Sequence, residues 1–264
     1  MKPMLATEAP LSDFIRYLED DDWYFQPKMD GVRVLFRLDW EIPSAFGRDG
    51  QPINLKIRPP NFRGSKSPYF YDTEMIGSKF HLFDLGRPER TFSAFPERWN
   101  LAPKLLLGVT NLEIVPTART YEEKVKLTSD ILAQDGEGII ARHKDGLMEF
   151  GVRSKNVIKL KFVKDVDVIL GGLDSMQQSR PMYIKNNNNI LIYVGNVGTQ
   201  GCHIGWNSVV TVRYLKMSNN GNLIQPRIVN GPRSDKTIDE CTIEQFSINN
   251  QAILMTKENN DSAR

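Results

Sequence analysis

The clearest periodic signal lies early in the chain. Val32, Val34, Phe36 and Leu38 alternate with Arg33, Leu35 and Arg37, the period-two pattern of a strand with one apolar face. The turn Lys28-Met29-Asp30-Gly31 leads into it. Upstream, Ser12 to Glu19 reads as a short helix capped by Ser12, with Phe14, Ile15 and Leu18 as its apolar side. Phe80 to Leu85 is a second apolar strand. Thr120 and Glu123 have capping-box spacing, and Tyr121, Val125, Thr128 and Leu132 continue one face of the helix that follows. Gly138 to Ala141 continues as a strand after a turn on Asp135 and Gly136. From Val157 to Val163 the chain alternates again: Val157, Lys159, Lys161 and Val163 share one face, and Ile158, Leu160 and Phe162 the other.

After Phe162 the texture changes to short strands with Gly and Asn turns: Val166–Gly171, Ile190–Val194, Ser208–Met217 and Leu223–Val229. Such spacing suits a small β-barrel or sandwich. Asn186 to Asn189 reads as a hairpin tip. The expected organisation is an α+β domain over residues 1–162 and a small all-β domain over residues 163–264.

Composition narrows the class. The chain has 264 residues, 40% hydrophobic and 25% charged, and no apolar run approaching a membrane span. The N-terminus meets Thr7, Glu8 and Pro10 too early for a signal-peptide core. Two cysteines and three scattered histidines make no disulfide framework or zinc module, so a reducing, cytoplasmic setting is expected, with no membrane partner. Net charge is only +2, but the charges are segregated. Ser175 to Ser234 contains no acid, yet carries Arg180, Lys185, Arg213, Lys216, Arg227 and Arg233. Phe150 to Lys164 and Gly50 to Tyr71 are acid-free too, the latter holding Lys56, Arg58, Arg63 and Lys66. A polyanion-binding face would need such segregation.

Lys28 is the candidate for covalent chemistry. At a pKa of about 10.4, only about one lysine in 2,500 is free amine at pH 7, so a nucleophilic lysine needs neighbouring cations. Lys159 and Lys161 offer them.

Lys28-Met-Asp30-Gly31 with Arg33 resembles the first motif of the covalent nucleotidyltransferases, which include polynucleotide ligases and capping enzymes. The other motifs of that superfamily follow in order. Phe46-Gly-Arg48-Asp-Gly50 resembles the motif whose arginine meets the ribose or the DNA end. Asp72-Thr-Glu74 resembles the ribose-binding glutamate motif, and Phe83 in Phe80–Leu85 the aromatic that stacks on the base. Asp135-Gly-Glu137-Gly resembles the metal-binding glutamate motif. Gly151-Val-Arg153, then Lys159-Leu-Lys161, resembles the elements that grip the α-phosphate. Gly231-Pro-Arg233-Ser-Asp235-Lys236 resembles the motif that orients the pyrophosphate of ATP. Gln26 stands where many relatives carry a glutamate against the adenine, and Val152 replaces a residue that is often basic.

Pro3-Met-Leu-Ala6 and Gly195-Asn-Val-Gly198-Thr are similar to segments of minimal ATP-dependent DNA ligases. That resemblance implies a nucleotidyltransferase domain, with ATP-grasp-like antiparallel sheets and helices, followed by an OB-fold barrel. It implies a monomer sealing 5′-phosphate/3′-hydroxyl nicks in duplex DNA through lysyl-AMP, with ATP and Mg²⁺ or Mn²⁺. Lys28 is then the nucleophile; Gln26, Arg33, Arg48, Glu74, Phe83, Arg153, Lys159, Lys161, Arg233 and Lys236 bind nucleotide; Glu74 and Glu137 hold the metal. Asp30, Gly31 and Asp235 support their motifs, and Lys56, Arg58, Arg63, Lys66, Arg213 and Lys216 are DNA-binding candidates. An RNA ligase, a capping-type guanylyltransferase and a non-catalytic nick-binding relic are the alternatives.

Overall fold

A computed structural model describes residues 1–39, 42–62, 69–87, 93–172, 179–199, 204–247 and 254. The chain divides into two compact units, Met1–Phe162 and Val163–Arg264.

The first unit contains two sheets. Strands β1 (Leu5–Glu8), β9 (Arg153–Lys161), β8 (Gly138–His143) and β2 (Trp23–Pro27) form one, in that order, with β1 parallel to β9. Strands β4 (Ile42–Phe46), β3 (Val32–Asp39), β5 (Tyr69–Ile76), β6 (Lys79–Gly86) and β7 (Leu112–Ile114) form the other, with β7 parallel to β6. Helices α1 (Phe14–Glu19) and α4 (Tyr121–Ala133) share a core with the first sheet: Tyr17, Leu18, Leu127 and Ile131 pack with Phe25, Ile139, Ile158 and Leu160. The second sheet packs Val34, Phe36, Leu38, Phe80 and Leu82 with Ala102 of α3 (Ala102–Leu105), while α2 (Phe95–Trp99) precedes it in the chain. The alternation in β3 is therefore two-sided, since Leu35 is buried in a separate cluster with Phe70 and Met148.

Two local expectations in the first unit are corrected. A 3₁₀ turn, Leu11–Asp13, precedes α1, and the Ser12 hydroxyl only meets Asp13 at 3.5 Å instead of capping the helix; Ile15 is exposed. The Thr120–Glu123 capping box is present, but α4 buries Lys124, Leu127, Thr128 and Ile131, leaving Tyr121, Val125 and Leu132 exposed. Lys124 is buried because its ammonium donates to the carbonyls of Tyr17, Leu18 and Asp20 at 3.3, 3.2 and 2.7 Å. The carbonyls of Tyr17 and Leu18 belong to the last turn of α1, where helix carbonyls lack an intrahelical donor, while that of Asp20 also accepts the Trp23 amide at 3.1 Å.

The second unit is built from β10 (Lys164–Leu170), β11 (Ser179–Lys185), β12 (Leu191–Gly198), β13 (Val209–Tyr214), β14 (Lys216–Met217), β15 (Leu223–Ile224) and β16 (Arg227–Asn230). The order β12-β11-β10-β13-β16 is antiparallel throughout, and β14 pairs with β15. Edge strands β12 and β16 also touch each other, so the sheet curls around one core of Val166, Val168, Met182, Val194, Val210 and Val212. Asn186–Asn189 forms the turn between β11 and β12, with Asn189 at φ 61°.

Candidate active site

The Lys28–Gly31 turn carries the chain from the first sheet to the second. The Lys28 amide donates to the Gly138 carbonyl at 2.8 Å, and Gly138 pairs with Lys161 across β8 and β9. Lys28, Glu137 and Lys161 thus occupy one end of three neighbouring strands. The Lys28 ammonium forms an ion pair with the buried Glu137 carboxylate. Two glycines make this approach possible. A Cβ on Gly31 would lie 2.3 Å from the Met75 carbonyl oxygen, and one on Gly138, at φ +149°, would lie 2.1 Å from that of Leu160.

Glu74 lies opposite Arg33 on β5 and accepts the Gly31 amide. Burial pushes its carboxyl above the ordinary value, with Arg33 and Lys28 opposing the shift. Glu74 and Glu137 are hard-oxygen carboxylates near Lys28, of the kind Mg²⁺ or Mn²⁺ takes, but no group of three potential metal-ligating side chains occurs among the described residues. Lys159 pairs with Glu8 of β1 at 2.8 Å, while Lys161 lies opposite Gly138.

Behind this end lies a buried polar network. Asp72 holds Arg33 through two bonds of 2.5 Å, and Arg33 also donates to the Met4 carbonyl at 3.2 Å. The Arg33 guanidinium carbon sits 4.3 Å from the centre of the Phe83 ring. Asp72 pairs with Asp84 across the β5–β6 ladder and Thr73 with Leu82, so Phe83 is the extra residue of a β-bulge. Asp84 is gripped by Arg98 at 2.7 and 2.9 Å and by Arg142 at 2.9 Å. Burial alone would raise the Asp84 carboxyl; the two guanidiniums hold it below the ordinary value. Burial pulls Arg142 down to about 10. Gln26, with none of its surface exposed, joins the network to the bulge.

Of the other candidates, Arg48 is exposed in the turn after β4, Asp30 is exposed, and Arg153 donates to the Ala6 carbonyl. Lys56 and Arg58 are exposed; Arg63 and Lys66 lie outside the described residues.

In the second unit, a cleft of about 320 Å³ is lined by Ser208, Pro232, Arg233, Ser234, Lys236 and Thr237, among others. Arg233 is held by Asp235 at 2.7 and 2.5 Å, by Thr211 at 2.7 Å and by Asp167 at 3.4 Å. Its hydrogen bonds to Asp235 raise the guanidinium pKa and lower that of Asp235 to about 2. Lys236 lies 3.5 Å from Asp167. Arg213 is bound by Asp165 through two bonds of 2.7 Å, and Lys216 carries an interaction of its own. The acid-free stretch therefore does not present a row of unpaired cations: acids beyond its ends reach Arg213, Arg233 and, through Asp239, Lys185.

No family model and no curated protein matches the chain. Solved structures do. One named Pmar-Lig_PreS3 superposes with a TM-score of 0.64 at 14% identity, covering 86% of this chain and 68% of its own. A Lig E DNA ligase gives 0.59 at 14% identity, over 87% of this chain and 98% of its own. A mycobacterial DNA ligase D complexed with ATP and MES gives 0.52 at 18% identity, over 92% and 98%. The chain shares the fold of these DNA ligases.

Within this ligase fold, the first unit brings together Lys28, Arg33, Glu74, Glu137 and the strand carrying Lys159 and Lys161. Arg233, Asp235 and Lys236 gather separately, in the second unit. Sequence reasoning overlooked Asp84, Arg98 and Arg142 under Phe83, and Asp167 and Thr211 under Arg233. Asp84 directly follows Phe83, and Asp167 sits among alternating valines in β10, which are the only signals either carried. No helix among the described residues is long and apolar enough to cross a membrane.

Proposed function

We propose that the protein is an ATP-dependent DNA ligase that seals nicks bearing a 5′-phosphate and a 3′-hydroxyl. The observation that carries this reading is the Lys28–Glu137 ion pair, set at a strand end beside Glu74 and the Lys161 position. The Lys28 ammonium first loses a proton to solvent; Nζ then attacks the α-phosphorus of ATP, the P–N bond forms and the bond to pyrophosphate breaks. The AMP then moves from Nζ to the 5′-phosphate oxygen of the nick, and the 3′-hydroxyl displaces AMP as the phosphodiester forms.

Lys159 and Lys161 neutralise phosphate charge, and Arg33 and Phe83 border the base and ribose. Arg48 and Arg153 are assigned outer contacts to the ribose or the nick. Glu74 and Glu137 would hold Mg²⁺ or Mn²⁺, which supplies charge neutralisation at the phosphates. Arg233 and Lys236, fixed by Asp235 and Asp167, present two cations suited to the leaving pyrophosphate. The ligase fold shared with a protein solved with ATP supports the choice of nucleotide. Duplex DNA is the polyanion that the exposed Lys56 and Arg58 would meet.

Intact-mass measurement tests the covalent step. Wild type incubated with ATP and Mg²⁺ gains one AMP, pyrophosphate removes it, and Lys28→Ala never gains it. An adduct from GTP alone would redirect the reading to capping chemistry. Transfer to nicked RNA but not nicked DNA would make the protein an RNA ligase. No adduct from either nucleotide, in protein shown to be unadenylated, would leave a binding relic.

A further inference from the structure

We infer that Gln26 and Arg142 are positioning residues for the base-stacking ring of Phe83, and that the nucleobase is read without the Gln26 amide. The inference rests on the nucleotide-binding reading above and assigns a different task to one of its residues. Phe83 is the bulged residue of β6, so it has no partner on β5. Its carbonyl accepts Gln26 Nε2 at 3.1 Å. The second hydrogen of that amide goes to Thr117 Oγ1 at 3.1 Å, and the amide oxygen accepts Arg142 Nε at 2.7 Å. Both donors and the acceptor of Gln26 are therefore engaged, and its side chain has no exposed surface for a base to touch.

Arg142 decides which way the amide points. A guanidinium Nε–H needs an acceptor, so the Gln26 oxygen must face it. The opposite orientation would set NH₂ against a cation and oxygen against the Phe83 carbonyl. Arg142 is in turn anchored by Asp84, which Arg98 also holds, and Arg98 reaches the carbonyls of Ser93 and Gly146 at 2.7 and 2.6 Å. The strut thus runs from the core to the backbone carbonyl of the bulged residue. The ring it supports lies 5.3 Å from the Arg142 guanidinium carbon and 4.3 Å from that of Arg33.

Two readouts test this. Amide hydrogen exchange on the nucleotide-free protein reads the strut alone: Gln26→Met and Arg142→Met should speed exchange tenfold or more in a peptide spanning 81–86 and leave one spanning 34–38 unchanged. Unaltered exchange at 81–86 overturns the strut whatever the nucleotide chemistry is. Arg142→Met is expected to fold, because Asp84 keeps both bonds to Arg98.

The second readout is the rate of AMP-adduct formation against nucleotide concentration. Gln26→Met should raise the KM for ATP about tenfold with kcat within twofold. The preference for ATP over the triphosphate of unsubstituted purine riboside should stay as in wild type. In a Phe83→Leu background the KM penalty should vanish, since no ring remains to position. A lost preference would mean that Gln26 reads the base amine directly. A penalty that persists without the ring would mean general loosening, and either result overturns the inference. Absence of any adduct in wild type would instead sink the proposed function, and the exchange result would still decide the strut.

Discussion

Asp84 and Glu74 show how the charges beside a carboxyl decide its pH behaviour. Asp84 is completely buried, but Arg98 and Arg142 outweigh desolvation and hold its carboxyl low. A carboxyl lowered in the folded state contributes stability that is present above its unfolded pKa and is lost as pH falls through the folded value. Removing it strands two guanidiniums, so Asp84→Ala should cost about 3–5 kcal/mol. Denaturant titration followed by tryptophan fluorescence would read this, because Trp23 is buried in the first unit while Trp206 of the second is exposed. Glu74 runs the other way. Burial raises its carboxyl, so its contribution is present below the unfolded pKa and is lost as pH rises through the folded value. Glu74→Gln should therefore stabilise the fold at neutral pH while slowing adduct formation at least tenfold, measured by denaturation and intact mass side by side. A variant both less stable and less active would show that Glu74 does not trade stability for function.

At the scale of elements, Ser208–Met217 and Leu223–Val229, each expected as one strand, are two each: Val209–Tyr214 with Lys216–Met217, and Leu223–Ile224 with Arg227–Asn230. The α4 capping box was legible because Thr120 and Glu123 are local partners, three residues apart. Its buried face was not, because that stripe contains Lys124, whose partners are carbonyls more than a hundred residues earlier. Apolar residues lie on both sides of this helix, so periodicity had two solutions. The corrected face predicts that Leu127→Ala costs about 2–5 kcal/mol, whereas Leu132→Ala stays within about 0.5 kcal/mol. Equal losses by thermal denaturation would contradict the assigned packing. Similarly, the strand at Phe80–Leu85 was legible, but the bulge at Phe83 was not. It depends on the register of β5 against β6.

Over the whole molecule, charge is where sequence and structure part most. Arg213 looked free in an acid-free stretch, yet Asp165 lies opposite it on β10 and holds it bidentately. Lys56 and Arg58 remain exposed. For binding to nicked duplex DNA, Lys56→Ala or Arg58→Ala should each lower the slope of log affinity against log salt by about 0.9 for every phosphate left without its cation. Arg213→Ala should leave the slope unchanged, and anisotropy titrations across salt concentrations would distinguish them. By itself, the sequence determined the order of the motifs and the change of texture after Phe162, because these are local in spacing and residue type. The tertiary structure alone decided that Lys28 pairs with Glu137, that Gln26 is buried beneath Phe83 and that Arg213 is neutralised. Each depends on strand register and on pairing between residues about fifty to a hundred positions apart, which no local pattern encodes.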